Sequence, residues 1–424
     1  MRRTTSLTIL CAALLVTLSA ANAAAQAQRP NIVLILADDL GYETIACNGG
    51  ESYRTPAIDQ MAAAGMRFEN AYAHPLCTPS RVALMTGRYN FRNYTSFGEL
   101  KLSETTFGNL LRDAGYKTLI AGKWQLSYGD FRAPFQLGFD EYLLWNFGEQ
   151  GKGSRYWDPT FYRNGKLLEN TKGKFGPDLI ADQVADFIQR HRAEPFFVYY
   201  PLVLPHDPFI EPPGYERASK AAPEEDQRRF KAMVEYTDRL VGRVNDQLQQ
   251  LGLSKKTLVI FTGDNGTSRK IRSQFKGRVI NGDKGSPTEA GTHTPLIARW
   301  DGVIPAGRVN TDLIDFTDFL PTLLDVAGLK ATANATLDGR SFAPQLKGRK
   351  GQPREWIFCH YDPHWGNFKF SRHAQDKQYK LYHDGRLFDY RRDPLEQAPL
   401  AESTLTKEQS RLRQKLQQAL DTLK

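Results

Sequence analysis

Asn31-Ile32-Val33-Leu34-Ile35-Leu36-Ala37-Asp38-Asp39 is a short apolar run that stops abruptly on two carboxylates. An apolar run without polar alternation reads as a strand covered on both faces, which belongs in a parallel sheet packed between helices. The same arrangement recurs downstream. Lys117 to Ala121 leads into Gly122-Lys123-Trp124-Gln125, and Phe196 to Tyr200 leads into Pro205-His206-Asp207-Pro208. Thr257 to Phe261 leads into Thr262-Gly263-Asp264-Asn265-Gly266. Ligands of open α/β sheets sit beyond the carboxyl ends of the strands, so four polar clusters in equivalent places are expected to converge on one site.

The segments between the strands fit that frame. Thr55-Pro56 opens a helix that Gly65 ends. Gln227 to Leu251 sets Phe230, Val234, Thr237, Val241, Val244, Leu248 and Leu251 on one helical face before Gly252, and Pro295 to Trp300 adds a further strand. The expected fold class is α/β: a large central mixed, mostly parallel sheet flanked by helices. The pattern changes after residue 345. Lys350 to Arg354 reads as a Gly/Pro/basic linker, Trp356 to Tyr361 as a strand, and Tyr379 to Tyr390 as a hairpin turning at Asp384-Gly385. Thr406 with Gln409 resembles a capping box before a final helix striped by Leu412, Leu416, Leu420 and Leu423. Residues 346–424 are thus expected to form a smaller α+β C-terminal domain, after a catalytic domain over 26–345.

Composition excludes several classes. The 424 residues are 41% hydrophobic and 24% charged, with 34 Gly and 23 Pro, which rules out disorder, collagen and coiled coil. Four cysteines are too few for a disulfide-built fold. The net charge of +9 suits an anionic partner, but it is spread along the chain without a recognition motif, so nucleic acid is not expected. Arg2-Arg3, the apolar stretch Leu7 to Leu18 and Ala21-Asn22-Ala23 make residues 1–25 a cleaved signal peptide. That stretch falls short of the ~20 residues of a spanning helix, and no other run qualifies. The protein is expected to be exported, periplasmic or secreted, with no stable membrane anchor.

Cys77-Thr78-Pro79-Ser80-Arg81-Val82-Ala83-Leu84-Met85-Thr86-Gly87-Arg88 is the most specific string in the chain. A cysteine beside Pro and Arg before a helical stretch suggests a thiol near positive charge. The whole string resembles the signature C-x-P-S-R-x-x-x-M-T-G-R of the type I sulfatases, members of the alkaline-phosphatase-like superfamily. The likeness runs over nearly all of the chain after the signal, with the family's motifs in the family's order. It implies that a formylglycine-generating enzyme oxidises Cys77 to formylglycine (3-oxoalanine), whose hydrated aldehyde is the nucleophile. It also implies a divalent cation, Ca²⁺ or else Mg²⁺, on Asp38, Asp39, residue 77, Asp264 and Asn265; hard oxygen donors suit those ions. Taken singly, Asp38-Asp39 and Asp264-Asn265-Gly266 would read as turns. Lys123, His206 and Lys284 would line the sulfate pocket by the same resemblance, with Arg81 holding the aldehyde hydrate. Fixed cations stabilise the charge that builds as the S–O bond breaks, and Lys284 and His206 are placed to neutralise or protonate the leaving oxygen.

One position departs from the family pattern G-K-W-H-L-G, because this chain has Gln125 where that pattern has histidine. The family histidine takes a proton from the sulfated intermediate, which a glutamine cannot do near pH 7. Another base is therefore expected, with His74, three residues before the nucleophile, as first candidate; water or a neighbouring residue is the second reading, and impaired turnover or a shift to another ester the third. The expected substrate is a sulfated carbohydrate, with an aryl sulfate as surrogate. His360-Tyr361-Asp362-Pro363-His364-Trp365-Gly366-Asn367 clusters aromatic and histidine side chains, which suggests sugar stacking on Trp365 with polar contacts from His364 and Arg372, or else an interface cluster. The competing functions are a phosphodiesterase or phosphonate monoester hydrolase of the same superfamily, and a non-catalytic binder of sulfated glycan.

Overall fold

The computed structural model describes residues 29–145, 147, 153–216, 223–330 and 336–423. The signal-peptide expectation lies outside those residues. The strands are β1 (Asn31–Ala37), β2 (Met66–Tyr72), β3 (Lys117–Lys123), β4 (Glu141–Trp145), β5 (Tyr162–Arg163), β6 (Lys166–Leu167), β7 (Phe196–Pro201) and β8 (Thr257–Gly263). They continue as β9 (Arg272–Phe275), β10 (Arg278–Asn281), β11 (His293–Arg299) and β12 (Arg308–Asp315). Ten of them form one sheet in the order β12-β2-β11-β8-β1-β7-β3-β4-β5-β6. β1 is central and parallel to both neighbours, Ile32 facing Phe197 on β7 and Leu258 on β8. Its side chains explain why: Ile32, Leu34 and Leu36 enter the core on one face of the sheet, Val33, Ile35 and Ala37 the core on the other. Each such burial contributes ~1.5–3 kcal/mol for a Val, Leu or Ile side chain.

The fold is the α/β class expected from the sequence, a large mixed sheet with helices on both faces. The helix Pro223–Gln250 lays Phe230, Val234, Val241, Val244 and Leu248 into one core. β11 runs antiparallel to both β2 and β8. β2 and β12 were not legible as strands: Arg67 and Glu69 interrupt the apolar residues of β2, and β12 is a polar edge strand.

A second, antiparallel sheet follows, with β13 (Ile357–Tyr361), β14 (Ser371–Gln375), β15 (Tyr379–Tyr382) and β16 (Leu387–Asp389). The helix Lys407–Thr422 packs Leu416, Ala419 and Leu420 on it, and its capping box at Thr406 and Gln409 is formed in both directions. The segment read as a linker behaves differently at its end. Arg354 is buried, donating to both carboxylate oxygens of Asp318 and, at 3.1 Å, to the Tyr89 hydroxyl. A basic residue between Pro and Glu looks solvated in the sequence; here it is an internal ion pair that ties the C-terminal segment to the main sheet.

Candidate active site

β1, β3, β7 and β8 end on one edge of the sheet and deliver the polar clusters there. Gly122 is required for this: it adopts φ 136°, and a Cβ on it would stand 1.8 Å from the Pro201 carbonyl oxygen. The chain then turns so that Lys123 faces inward. Asp39 and Gln125 also hold left-handed backbone, at φ 66° and 56°, a conformation that costs non-glycine residues ~1–3 kcal/mol and collects at functional sites. Cys77 opens the helix Cys77–Thr86, with four residues between it and the end of β2, and is buried.

The side chains form one connected charge network. Lys123 Nζ donates to both oxygens of Asp38, at 2.8 and 2.9 Å. Arg81 donates to Asp264 Oδ2 through Nη2 at 2.8 Å and Nε at 3.2 Å, and its Nη2 lies 3.7 Å from Asp38. Lys284 Nζ donates to Asp39 Oδ2 at 2.7 Å and to His206 Nε2 at 3.1 Å. An ammonium has no lone pair, so Nε2 is the acceptor and His206 carries its proton on Nδ1, which faces the Asp207 carbonyl at 2.5 Å. Cys77 Sγ donates to Gln125 Oε1 at 3.0 Å.

Burial and charge set the protonation states. Burial opposes ionisation of Asp38, but Lys123, His206, Arg81 and Lys284 outweigh it and hold the carboxyl well below the usual range. Burial, reinforced by Asp38, pushes Asp264 up to about 6 despite Arg81. Lys284 is raised although burial opposes its charge, because Asp39 and its neighbours stabilise the ammonium. His206 is lowered by burial. The Cys77 thiol is raised by burial against the pull of Lys123 and Lys284, so an unmodified thiol here is a poor nucleophile.

The donor set fits a hard divalent cation. Ligand atoms of Asp38, Cys77 and Asp264 lie within 4.8 Å of one another. Asn265 Nδ2 is pinned by Asp39 Oδ1 and the Gly266 carbonyl, both at 2.9 Å, while its buried Oδ1 has no hydrogen-bond partner among the described residues. An orphaned buried oxygen beside carboxylates is free to take a ligand's part, and all of these donors except the sulfur are hard oxygens.

The sequence reading missed Arg155. Its guanidinium lies 3.8 Å above the Trp145 ring and 3.8 Å from Asp38, with Nη1 buried and without a hydrogen-bond partner among the described residues. A single arginine in a Gly/Ser stretch looks like a surface charge, and only the flanking Tyr156-Trp157 hints at burial. Phe97 and Phe368 were missed as well. Trp365 stacks on both, at 4.3 and 5.7 Å, and Phe368 covers Gly285 next to Lys284, so an aromatic shelf borders the charge network. Trp365 is 44% exposed. His364 is held by the Thr95 carbonyl and Asp362, and the Thr95 contact is the main reason its ring is raised. Arg372 lies across from His360 in the small sheet.

The expectation for His74 is corrected. Its ring joins a small closed cavity with Asp315, Cys359, His373 and Gln375 rather than the group around Cys77. Neither ring nitrogen has a hydrogen-bond partner among the described residues, and burial with His360 nearby pushes the ring down to about 3. The residue is close to Cys77 in sequence, but the turn into the helix points its side chain toward the small sheet. A histidine depressed in the folded state gives stability that is full above pH 6.5 and is lost as the pH falls toward 3. His74→Leu is expected to leave sulfate release near neutral pH unchanged and to flatten the acid limb of stability by about 1.4 kcal/mol per pH unit in that window. Urea melts at a series of pH values check the second point; a collapse of turnover would return His74 to the chemistry.

Fixed cations over a buried carboxylate cluster, at the strand ends of a mixed α/β sheet, make a site suited to an anionic ester. The family model "Sulfatase" matches residues 30–329, and "N-sulphoglucosamine sulphohydrolase, C-terminal" matches 282–424. The N-acetylgalactosamine-6-sulfatase of Mus musculus is 35% identical over 361 residues, covering 77% of this chain and 68% of that one. Arylsulfatase A of Homo sapiens is 36% identical over 371 residues, covering 79% and 71%. The crystal structure of Ps i-CgsB in complex with k-i-k-neocarrahexaose matches with a TM-score of 0.78 at 26% identity, over 93% of this chain and 92% of that one. The chain belongs to the sulfatase family and is a sulfuric ester hydrolase.

Proposed function

We propose that this is an exported sulfatase that hydrolyses a sulfate monoester on a sulfated carbohydrate, using a formylglycine made from Cys77 and a bound Ca²⁺. The observation that carries the reading is the convergence of Cys77 with Lys123, Arg81, Lys284 and Arg155 around the Asp38–Asp39–Asp264 cluster. After maturation by a formylglycine-generating enzyme, residue 77 supplies a hydrated aldehyde as nucleophile. Asp38, Asp39, Asp264 and Asn265 would hold Ca²⁺, or Mg²⁺, which neutralises sulfate oxygens.

The chain's own side chains do the remaining work. Lys123 and Lys284 place fixed positive charge where charge grows in the transition state. Lys284 and His206 share one proton along the 3.1 Å contact, and that proton is available to the leaving oxygen. Arg81 is locked by Asp264 and so holds its charge at a set place beside residue 77. Gln125 accepts a hydrogen bond from position 77 and orients the hydroxyl there; with His74 elsewhere, the proton leaves to water. Arg155, whose Nη1 stands 3.8 Å from Asp38 and makes no hydrogen bond among the described residues, adds positive charge toward a substrate anion. The shelf of Phe97, Trp365 and Phe368, with His364 at its margin, supports a sugar ring, and Arg372 completes the C-terminal contribution. The relatives' names support the substrate class: one is a sulfatase of N-acetylgalactosamine, and the Ps i-CgsB structure contains a neocarrahexaose.

The test uses protein matured in its native host. Mass spectrometry of the peptide with residue 77 is expected to show formylglycine, and sulfate release from defined sulfated saccharides is expected to vanish with a chelator and return with Ca²⁺. The melting temperature should follow the same cycle, because an ion that binds the folded state stabilises it. An unmodified thiol together with no release would favour the glycan binder, and faster turnover of the matched phosphate ester would favour the phosphodiesterase.

A further inference from the structure

A cavity of about 530 Å³ opens between the β9–β10 hairpin, the outer part of the main sheet and the chain after β16. That size is within the ~300–1,000 Å³ of small-molecule sites. None of the residues assigned to the catalytic group lines it. Its inner wall stands directly behind that group: Glu43 accepts from Thr267 Oγ1 at 2.5 Å, and the same hydroxyl accepts from the Gly41 N–H, two residues after Asp39.

The charge balance inside the cavity decides what it can take. Three acids and four permanent cations line it, and two of the acids face an arginine. Glu69 pairs with Arg67 at 3.3 Å. Glu289 pairs with His293 at 2.9 Å and lies 3.8 Å from Arg391. Glu43 is buried, and burial raises its carboxyl toward the neutral form. Arg391 is held rigidly, donating to the Lys377 carbonyl at 2.8 Å and to Asn70 Oδ1. Lys276, Arg278 and Lys377 also line the cavity and have no carboxylate within ion-pair distance among the described residues. The net field is therefore positive. The remaining wall is amphipathic. Tyr42 stacks on His293 at 4.0 Å with Phe275 edge-on to it at 6.0 Å, and Val279 and Leu395 are exposed at the rim.

Unpaired cations beside aromatic and aliphatic surface suit a ligand that alternates anionic groups with apolar C–H faces. We propose that this cavity is a second binding site, for a sulfated oligosaccharide, apart from the site that cuts the ester. The inference rests on the sulfated-carbohydrate reading above for its choice of ligand.

The experiment measures binding by calorimetry with the full chain carrying Cys77→Ala, so that nothing is turned over. The probes are size-defined hexasaccharides of chondroitin sulfate, heparan sulfate and carrageenan, each with its chemically desulfated form. At least one sulfated hexasaccharide is expected to bind tenfold or more tightly than its desulfated form. The charge reversal K276E/R278E/K377E should weaken that binding at least tenfold. Val279→Trp, on the exposed hairpin and neutral in charge, should weaken it comparably by filling the mouth. Weakening by charge reversal with no effect of Val279→Trp would mean general surface attraction and would overturn the site. So would the absence of sulfate-dependent binding to every probe. Sulfate release by the matured wild-type protein from 4-nitrophenyl sulfate and from the hexasaccharides is measured alongside. Release with binding indifferent to both variants overturns the second site alone, whereas no release from any ester overturns the proposed function.

Discussion

Cys77→Ala is expected to remove sulfate release by at least ~10⁴-fold, the scale on which loss of a covalent nucleophile is felt in hydrolases. The loss should come without loss of the fold. The side chain is small and makes one hydrogen bond, to Gln125 Oε1 at 3.0 Å, so its removal leaves one buried acceptor unpaired, a cost of ~1–3 kcal/mol. Binding of Ca²⁺ should weaken but persist, because Asp38, Asp39, Asp264 and Asn265 remain. Cys47→Ala is the matched control: that residue is only partly buried, and alanine keeps the 2.8 Å bond from its backbone N–H to Asp59. Release by Cys77→Ala within tenfold of wild type, measured on matured protein, would remove residue 77 from the chemistry.

Most of this site was legible because its chemistry lies in short strings. The apolar run from Ile32 to Ala37, followed at once by Asp38-Asp39, marks both a buried strand and its carboxyl end, and the structure has that strand over Asn31–Ala37. The clusters at Lys123, His206 and Asp264-Asn265 are legible for the same reason, since each follows a strand whose apolar residues admit no other reading. What escaped depends on contacts distant in sequence. Arg155 becomes a site residue only because Trp145 lies under it and Asp38 beside it. Arg354 turns from linker to internal ion pair only through Asp318. His74 was misplaced for the converse reason: three residues of separation say nothing about direction when a turn lies between, and the chain points Cys77 to Gln125 and His74 to His373. Proximity in sequence is a weak guide to a proton acceptor, whereas position after a strand is a strong guide to a ligand.

Lys123→Met is expected to uncouple the two tasks of that lysine. The ammonium and Asp38 are each at most 1% exposed, and Nζ binds both carboxylate oxygens. Methionine keeps much of the volume but leaves Asp38 as a buried charge with weaker partners, Arg81 at 3.7 Å and Arg155 at 3.8 Å. Breaking a buried pair in this way costs ~3–5 kcal/mol, so the metal-free variant should melt well below the metal-free wild type. A divalent cation on the same oxygens restores the missing charge, and Ca²⁺ should therefore recover most of the melting temperature. It should also bind the variant more tightly than wild type, because the competing ammonium is gone. Turnover should not recover: the cation that faces the ester is absent, and losing one such contact costs ~10²–10³-fold in kcat. Calorimetric melts with and without Ca²⁺, run beside sulfate release, separate the cases. Metal-free variant and wild type melting together would show that Lys123 does not balance Asp38. Full return of turnover with Ca²⁺ would show that its only task is to hold the acid cluster together.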